Sequence, residues 1–382
     1  MVPYSNLGVQ SCSPHPCHDD QVTRFVVRRA LVGGQLVGPV EVSWSEGRIS
    51  DVVPTSKSPD ADLLTPGFVD VQVNGIGDAD CGDGSHDALR QCSDALLAQG
   101  VTAWCPAVTT RSFGELDNAL ASIDEFVHQS QFRGARVVGT HLEGPFLGGA
   151  PGAHPRHLIV DCDLDWLATL PDSVRIVTLA PESAGAPSAI ALLRNLGVVV
   201  SLGHSTANET TAVAAVDAGA TMVTHVFNGM GPLIHRDPGL VAVALTDPRL
   251  AVGLIGDGLH LSPRTIALVF AAAGDRVVMV SDAAATSSLA GDAELRVDGQ
   301  GALRLADGTM AGSTVGLGAA VQRCAAWGVE IVDLLRSVTR NPSVLLGRLD
   351  SCDLRKGMRA DLVAFNDGLD VERVWVSGTQ AL

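Results

Sequence analysis

Residues 198–230 read VVVSLGHSTANETTAVAAVDAGATMVTHVFNGM, and their pattern decides the fold. Two short apolar runs, VVVSLGH and MVTHVF, each bring a histidine, His204 or His225, to the point where the run gives out. Between them lies a stretch bearing Ala and Glu, with Thr206 and Asn208 as candidate caps. The alternation predicts strand, helix, strand, the unit of a parallel sheet. In such sheets reactive groups gather at the carboxyl ends of the strands. Two imidazoles there point to a metal site; the competing reading is a pair of core histidines with satisfied hydrogen bonds.

Working outward, the same texture recurs at VDVQVN (69–74), VTAWCPA (101–107), VVGTHLE (137–143), VRIVTLA (174–180), AVGLIG (251–256) and VVMVSD (277–282). Helical stretches such as 87–100, 113–130 and 189–197 separate them. Eight parallel strands with helices between predict an α/β fold of the (β/α)8 TIM-barrel type. A doubly wound open sheet fits less well, because no glycine fingerprint follows the first strand. Both chain ends show short strands with turns, RFVVRRALV, PVEVSWS and GRISDVV at one end and RADLVAFN and ERVWVSG at the other. The expected organisation is a disordered extension over 1–22, a small β-sandwich domain from 23–65 and 346–382, and the barrel over 66–345. An insertion at 284–313 carries two short strands placed to join the β module or cover the barrel mouth. Residues 331–347 read as a helix, a cap at Asn341-Pro342, and a second short helix.

Composition narrows the partners. The net charge of −16 argues against nucleic acid, which needs a basic face. No apolar run is long enough to span a bilayer, and no signal peptide is evident, so the expected location is cytoplasmic. The eight cysteines are scattered through a chain of 382 residues, and we read them as reduced. Cys12, Cys17 and His18 lie in the Pro- and Ser-rich tail and carry no site in this reading.

Placed on the strand ends, Glu143, His204, His225 and Asp282 converge on one barrel mouth. Two neutral imidazoles and a carboxylate form a catalytic zinc set with an open position for water. A further carboxylate, Asp282, is placed to take that water's proton. His260 in DGLH is a candidate to polarise a carbonyl, His154 follows a glycine-rich loop that fits a binding role, and Arg236 is a candidate anion contact. His86, His128, His157 and His235 have no strand-end placement and are read as surface residues. GLG at 316–318 follows no clear strand, so it is a weak nucleotide signal.

Together HLEGPF (141–146), GAH (152–154), LGHS (202–205), HVFNGM (225–230), DGLH (257–260), VSDA (280–283) and AGS (311–313) resemble the N-acetylglucosamine-6-phosphate deacetylases of the amidohydrolase superfamily. TRNPSVLLG and RKGMRADLV add to the likeness, which spans roughly 45–378. The resemblance implies hydrolysis of the acetamide of N-acetylglucosamine 6-phosphate to glucosamine 6-phosphate and acetate, in amino-sugar catabolism and cell-wall sugar recycling. It implies Glu143, His204 and His225 as ligands of a divalent ion, zinc first, with iron, cobalt, manganese and cadmium as alternatives. Asp282 becomes base and then acid, and His260 polarises the carbonyl. His154 contacts a sugar hydroxyl, Asn228 and the backbone at Gly229 hold the phosphate, and Ala311 and Gly312 close over the sugar. Arg236 reaches the phosphate in the neighbouring subunit's site, which implies a homodimer.

One departure stands out. Many amidohydrolases carry His-x-His on the first strand for a second ion; here Gln72 and Asn74 stand instead, marking a weak second-metal region to which Cys81 is a candidate contributor. Dihydroorotases and hydantoinases are rivals that use His-x-His and commonly a modified lysine, yet no lysine occurs between Lys57 and Lys356. A barrel kept only for assembly should have lost its ligands or base, and this one retains all four.

Overall fold

The computed structural model of the chain describes residues 22–129, 134–286 and 295–382. The expected N-terminal extension, with Cys12, Cys17 and His18, lies outside them but for Val22. Eight strands make the barrel: β1 (Phe68–Val73), β2 (Val101–Thr109), β3 (Thr140–Glu143), β4 (Val174–Leu179), β5 (Val199–Leu202), β6 (Met222–Val223), β7 (Ala251–Ile255) and β8 (Val277–Val280). Each pairs in parallel with the next from β1 round to β8. β1 and β2 are buried at nearly every position, as strands covered on both faces must be.

The helices between them are α1 (His86–Leu97), α2 (Phe113–His128), α3 (Leu164–Leu167), α4 (Ala186–Asn195), α5 (Glu209–Ala218), α6 (Gly239–Thr246) and α7 (Pro263–Ala273). Local chemistry starts them. Ser112 and Glu115 form a capping box on α2, Asn208 accepts from the amide of Thr211 on α5, and Ser262 caps α7 with Pro263 following. On α2 the buried set Leu116, Ala119, Leu120, Ile123 and Phe126 repeats every three or four residues, so one stripe packs on the barrel.

No regular ladder joins β8 to β1. The seam closes just past the strands, where Asp282 N donates to Gln72 O at 3.0 Å and Asn74 N donates to Ala283 O at 2.7 Å. A register shift between Asp70 and Val73 marks a bulge in β1. The fully buried Asp70 carboxylate accepts from the amides of Ser281 and Gln72 at 3.2 and 3.3 Å and so bridges the gap. Burial pushes its carboxyl up to about 7 despite these bonds.

Inside the barrel two layers support the mouth. Val69, Val71, Ala103, Cys105, Ile176, Met222, Ile255, Val278 and Val280 make an apolar floor with Leu346. Above it runs a hydroxyl chain: Ser201 Oγ to Thr224 Oγ1 at 2.6 Å, Thr224 to Thr178 at 2.7 Å, and Thr178 to His141 Nε2 at 2.7 Å. His141 Nδ1 donates to Val71 O at 3.0 Å, within the bulge. Burial lowers the His141 pKa, so its neutral ring accepts from Thr178.

Both chain ends meet in a second sheet of eight strands. Its order is 379–380, 371–376, 362–365, 61–66, 23–32, 40–45 and 48–54, with 35–37 beside 23–32. It is mixed rather than purely antiparallel, because 61–66 runs parallel to 23–32 before feeding into β1. Gly67 makes that passage: a Cβ there would stand 1.9 Å from Thr102 Oγ1. Trp375 packs edge-on against Phe25 and Trp44, at 5.0 and 5.3 Å between ring centres. Arg136 donates to the buried Asp361 at 2.5 Å and ties the barrel to this sheet.

One stretch differs from the sequence reading, and in a second one of two expected placements is met. In 331–347 the break falls at Thr339, between α9 (Ile331–Val338) and α10 (Arg340–Leu345), with α8 (Leu317–Ala326) before them. Asn341 is helical rather than a cap, and its amide donates to Val277 O at 2.8 Å. The described residues of the 284–313 insertion reach the barrel mouth and do not join the terminal sheet: strands Leu295–Val297 and Leu303–Leu305 pair with each other, and residues 309–312 line the cavity. Among the described residues, no helix is long and apolar enough to cross a membrane.

Candidate active site

Four chemistry-bearing residues emerge within two positions of a strand end: Glu143 closes β3, His204 and His225 follow β5 and β6, and Asp282 follows β8. The last three adopt left-handed backbone, with φ of 48°, 29° and 48°, as does Phe227 at 74°. Non-glycine residues rarely hold this conformation without support, and it clusters at functional sites. It lets the chain leave the strand abruptly while the side chain turns into the mouth.

The mouth is a cavity of about 330 Å³, lined at its base by Glu143, His204, His225 and Asp282. His204 Nε2 and His225 Nε2 each lie 3.1 Å from Glu143 Oε1 and 3.2 Å from one another. The far nitrogens are spoken for: His204 Nδ1 donates to Ala150 O at 3.2 Å and His225 Nδ1 to Asn228 O at 3.1 Å. A carbonyl only accepts, so Nδ1 carries the proton in each neutral ring and Nε2 presents a lone pair. With Nε2 unprotonated, three acceptors face one another, and a positive charge among them, a proton or a metal ion, relieves their repulsion. The charge states agree. Burial alone would raise the Glu143 carboxyl, yet contact with His204 and His225 holds it well below the usual carboxylate range. Burial disfavours charge on His225, and Glu143 more than offsets this, raising its pKa. Ligands about 2.0–2.2 Å from a tetrahedral zinc stand roughly 3.3–3.6 Å apart, so the observed triangle fits a divalent ion with little adjustment. Carbonyl acceptors on the remote nitrogens are the usual outer support for ligating histidines.

His154 offers a fourth nitrogen, within 4.8 Å of the ligand atoms of Glu143 and His204. That grouping is looser than the triangle with His225, which is the tighter of the two sets that could hold an ion. Burial, with His204 alongside, pushes His154 down to about 3 and keeps it neutral. Its Nδ1 meets Thr110 Oγ1 at 2.8 Å, leaving the other edge of the ring for the cavity.

Asp282 faces this triangle. Its Oδ1 accepts from Asn74 Nδ2 at 2.8 Å and Gln72 Nε2 at 3.1 Å, and Gln72 Nε2 also reaches both oxygens of Glu143 at 3.2 and 3.3 Å. Both amides thus turn N–H towards the carboxylates. Burial and then the nearby Glu143 raise the Asp282 pKa, as befits a group that gains and loses a proton. Across the cavity His260 lines the wall, and its Nδ1 meets Asp257 Oδ2 at 2.7 Å. Against the cost of burial, the His260 ring and the backbone amides of His260 and Leu259 hold the Asp257 carboxyl down at about 2.

Of the remaining candidates, Asn228, Gly229, Ala311 and Gly312 line the cavity, as does Asn74. Gly229 has φ +57°, and a Cβ there would come within 2.9 Å of His204 Nδ1, so glycine spares the ligand. Arg236 is exposed and outside the cavity lining. Cys81 does not line the cavity: its Sγ lies 3.4 Å from that of Cys92 on α1, and both are buried. His128, His157 and His235 are exposed, whereas His86 is half-buried on Ser122 O at 3.0 Å. The GLG glycines open α8 and pack on Gln99 rather than forming a phosphate loop. Asp257, Ser313, Thr110, His141 and Asp70 are supports that sequence reasoning passed over. The first two sit inside DGLH and AGS, where the neighbours drew attention instead.

Residues 63–381 match the model of the amidohydrolase family. The N-acetylglucosamine-6-phosphate deacetylase of Bos taurus is 36% identical over 372 residues, covering 91% of this chain and 89% of the relative. The N-acetylgalactosamine-6-phosphate deacetylase of Escherichia coli O157:H7 is 35% identical, covering 93% and 98%. The crystal structure of N-acetyl-D-glucosamine-6-phosphate deacetylase from Mycobacterium smegmatis superposes with a TM-score of 0.86 at 29% identity, over 94% of this chain and all of that one (100%). A further solved structure from that organism is an Asp→Ala variant in complex with N-acetyl-D-glucosamine-6-phosphate.

Proposed function

The chain belongs to the amidohydrolase family, and we infer that it hydrolyses the acetamide of N-acetylglucosamine 6-phosphate, releasing acetate and glucosamine 6-phosphate. The observation that carries the reading is the lone-pair triangle of Glu143, His204 and His225 beside an elevated carboxyl, Asp282. Amide hydrolysis at neutral pH needs an activated water, a stabilised oxyanion and a proton for the amine. A divalent ion on the triangle, zinc by its donor set, supplies Lewis acidity and brings water's pKa towards neutral. Asp282 takes the proton of the attacking water. Its Oδ1 is committed to Asn74 and Gln72, so Oδ2 is the accepting oxygen. The same carboxyl then returns the proton to the departing amine nitrogen. His260 in its doubly protonated form donates from Nε2 to the acetamide oxygen, while its other N–H, on Nδ1, is held by the Asp257 carboxylate.

His154 meets a sugar hydroxyl, and Asn228 with the Gly229 backbone receives the phosphate. Ala311 and Gly312 cover the sugar from the inserted segment. Gln72 and Asn74 orient Asp282 through their N–H groups, while Gln72 Oε1 and Asn74 Oδ1 are buried without a hydrogen-bond partner among the described residues. Among the described residues no Arg or Lys lines the cavity. A phosphate in a chain of net charge −16 needs a local cation. Arg236, exposed beside the half-exposed Leu233 and Ile234, supplies it to the neighbouring site of a homodimer. The cysteines among the described residues are free, which fits a cytoplasmic enzyme.

The test is acetate release from N-acetylglucosamine 6-phosphate, its galactosamine epimer and the unphosphorylated sugar, with metal measured on the same sample. Release that depends on phosphate, with one tight ion per chain, is expected. A folded, metal-loaded protein that releases no acetate from any of the three refutes the reading.

A further inference from the structure

Asp257 and Ser313 touch no part of the cavity themselves, yet they join its two opposite working groups. Asp257 is 1% exposed, and four donors surround its carboxylate. Oδ1 accepts from the amides of Leu259 and His260 at 2.8 and 2.9 Å. Oδ2 accepts from His260 Nδ1 at 2.7 Å and from Ser313 Oγ at 2.9 Å. Arg323 Nη1 donates to the main-chain carbonyl of the same aspartate at 2.7 Å and fixes it from behind. Every strong acceptor direction of the carboxylate is filled, so the His260 ring has one orientation, with Nδ1 inward and Nε2 towards the cavity.

Ser313 continues the connection to the other wall. Its amide donates to Asp282 O at 2.8 Å, and its own carbonyl accepts from Ala284 N at 3.0 Å. Its hydroxyl is used twice, donating to Asp257 and accepting from Val315 N at 3.0 Å. One residue thus grips the backbone of Asp282 and the carboxylate that holds His260. The cavity segment Thr309–Gly312 leads directly into it. Catalysis across a cavity depends on the spacing of its groups, and a misplacement of about 1 Å can cost about 100-fold.

We propose that Asp257 and Ser313 are a positioning pair for the deacetylation, setting the orientation of the His260 ring and its distance from Asp282. The proposal rests on the hydrolytic reading above. Asp257 orients the ring and fixes its Nδ1–H; Ser313 carries the position of the inserted segment to that ring and to the Asp282 backbone. Neither touches the ion's ligands, so their loss is expected to leave metal binding intact.

The experiment compares wild type, Asp257→Asn and Ser313→Ala as zinc-loaded full chains, reading kcat, KM, metal content and the ring ¹⁵N and NH signals of labelled histidines, with His260→Gln to assign them. For D257N the expected result is kcat lower by about 100-fold with KM within about threefold and one ion retained, in line with outer supports of catalytic groups. The strongly hydrogen-bonded Nδ1–H signal of His260 should disappear. For S313A we expect about tenfold lower kcat, unchanged metal and a shifted but present His260 signal. If D257N does not accumulate folded, S313A decides alone. Wild-type kcat in the folded variants, or a His260 spectrum unchanged in D257N, overturns the proposal. Should wild type lack deacetylase activity, the spectra still report whether Asp257 sets the ring, which separates failure here from failure of the functional reading.

Discussion

Replacing Asp282 by asparagine tests the acid/base assignment with little disturbance to anything else. In the native site Oδ1 accepts from Asn74 at 2.8 Å and Gln72 at 3.1 Å. Asparagine keeps both bonds by presenting its carbonyl oxygen to the same donors. Its amino group then occupies the place of Oδ2, where the proton would have landed. Glu143, His204 and His225 keep their mutual contacts, so metal content should stay at the wild-type value. What disappears is proton transfer, which contributes about 10²–10⁴ in rate, or roughly 3–5.5 kcal/mol of barrier. Acetate release at saturating substrate should fall by that factor, with KM within a few-fold because substrate contacts lie elsewhere. Asp282→Ala is the control. It also removes the base but strands the Asn74 donor, while Gln72 keeps Glu143, so it should be less stable than Asp282→Asn by about 1–3 kcal/mol in denaturant unfolding. Turnover within tenfold of wild type in a metal-loaded Asp282→Asn would refute the assignment.

Arg236→Ala should raise KM for the phosphorylated sugar by about 10–100-fold, the worth of one charge-assisted contact, and spare the unphosphorylated sugar; equal loss on both removes the phosphate role. Chelation should abolish acetate release and lower thermal stability, by about 4 kcal/mol where the ion had stood at a thousand times its Kd; an unchanged unfolding curve with metal demonstrably removed counts against a bound ion. The Asp257 carboxyl is held at about 2, below the ordinary 3.8, so its contribution is present above pH ~4 and lost as pH falls towards 2. Unfolding of wild type and Asp257→Asn should therefore differ by about 2 kcal/mol at pH 7, and the gap should narrow below pH ~4, whereas a constant gap would assign the loss to packing.

The barrel was legible because its strands are covered on both faces and so read as unbroken apolar runs, and the helices between them carry caps such as Ser112 and Asn208. The metal triangle was legible for the same reason: a histidine at the end of an apolar run is conspicuous. Asp70 was hidden by that logic, since a lone acid in VDVQVN reads as a strand residue, and its task depends on a bulge that no pattern announces. Asp257 and Ser313 lie 56 positions apart, and only the fold brings them together. The left-handed backbone of His204, His225 and Asp282 also escaped notice, because local sequence gives no glycine to mark it.

Arg236 is the harder case, and it shows what one chain's geometry implies about assembly. The cavity offers neutral His154, Asn228 and backbone amides to an anion, but among the described residues no cationic side chain on its lining. The protein around it carries sixteen excess negative charges, so its long-range field repels a phosphorylated sugar. Screening weakens that field beyond about 8–10 Å at physiological salt but does not supply the attraction that binding requires. A cation from outside the chain resolves the difficulty. Leu233 and Ile234, at 47% and 49% exposure, lie beside Arg236 on the same exposed loop. On the proposed homodimer, selection for the phosphate and assembly would be one property, and a variant that dissociates the subunits should lose preference for the phosphorylated substrate while keeping its metal and its base.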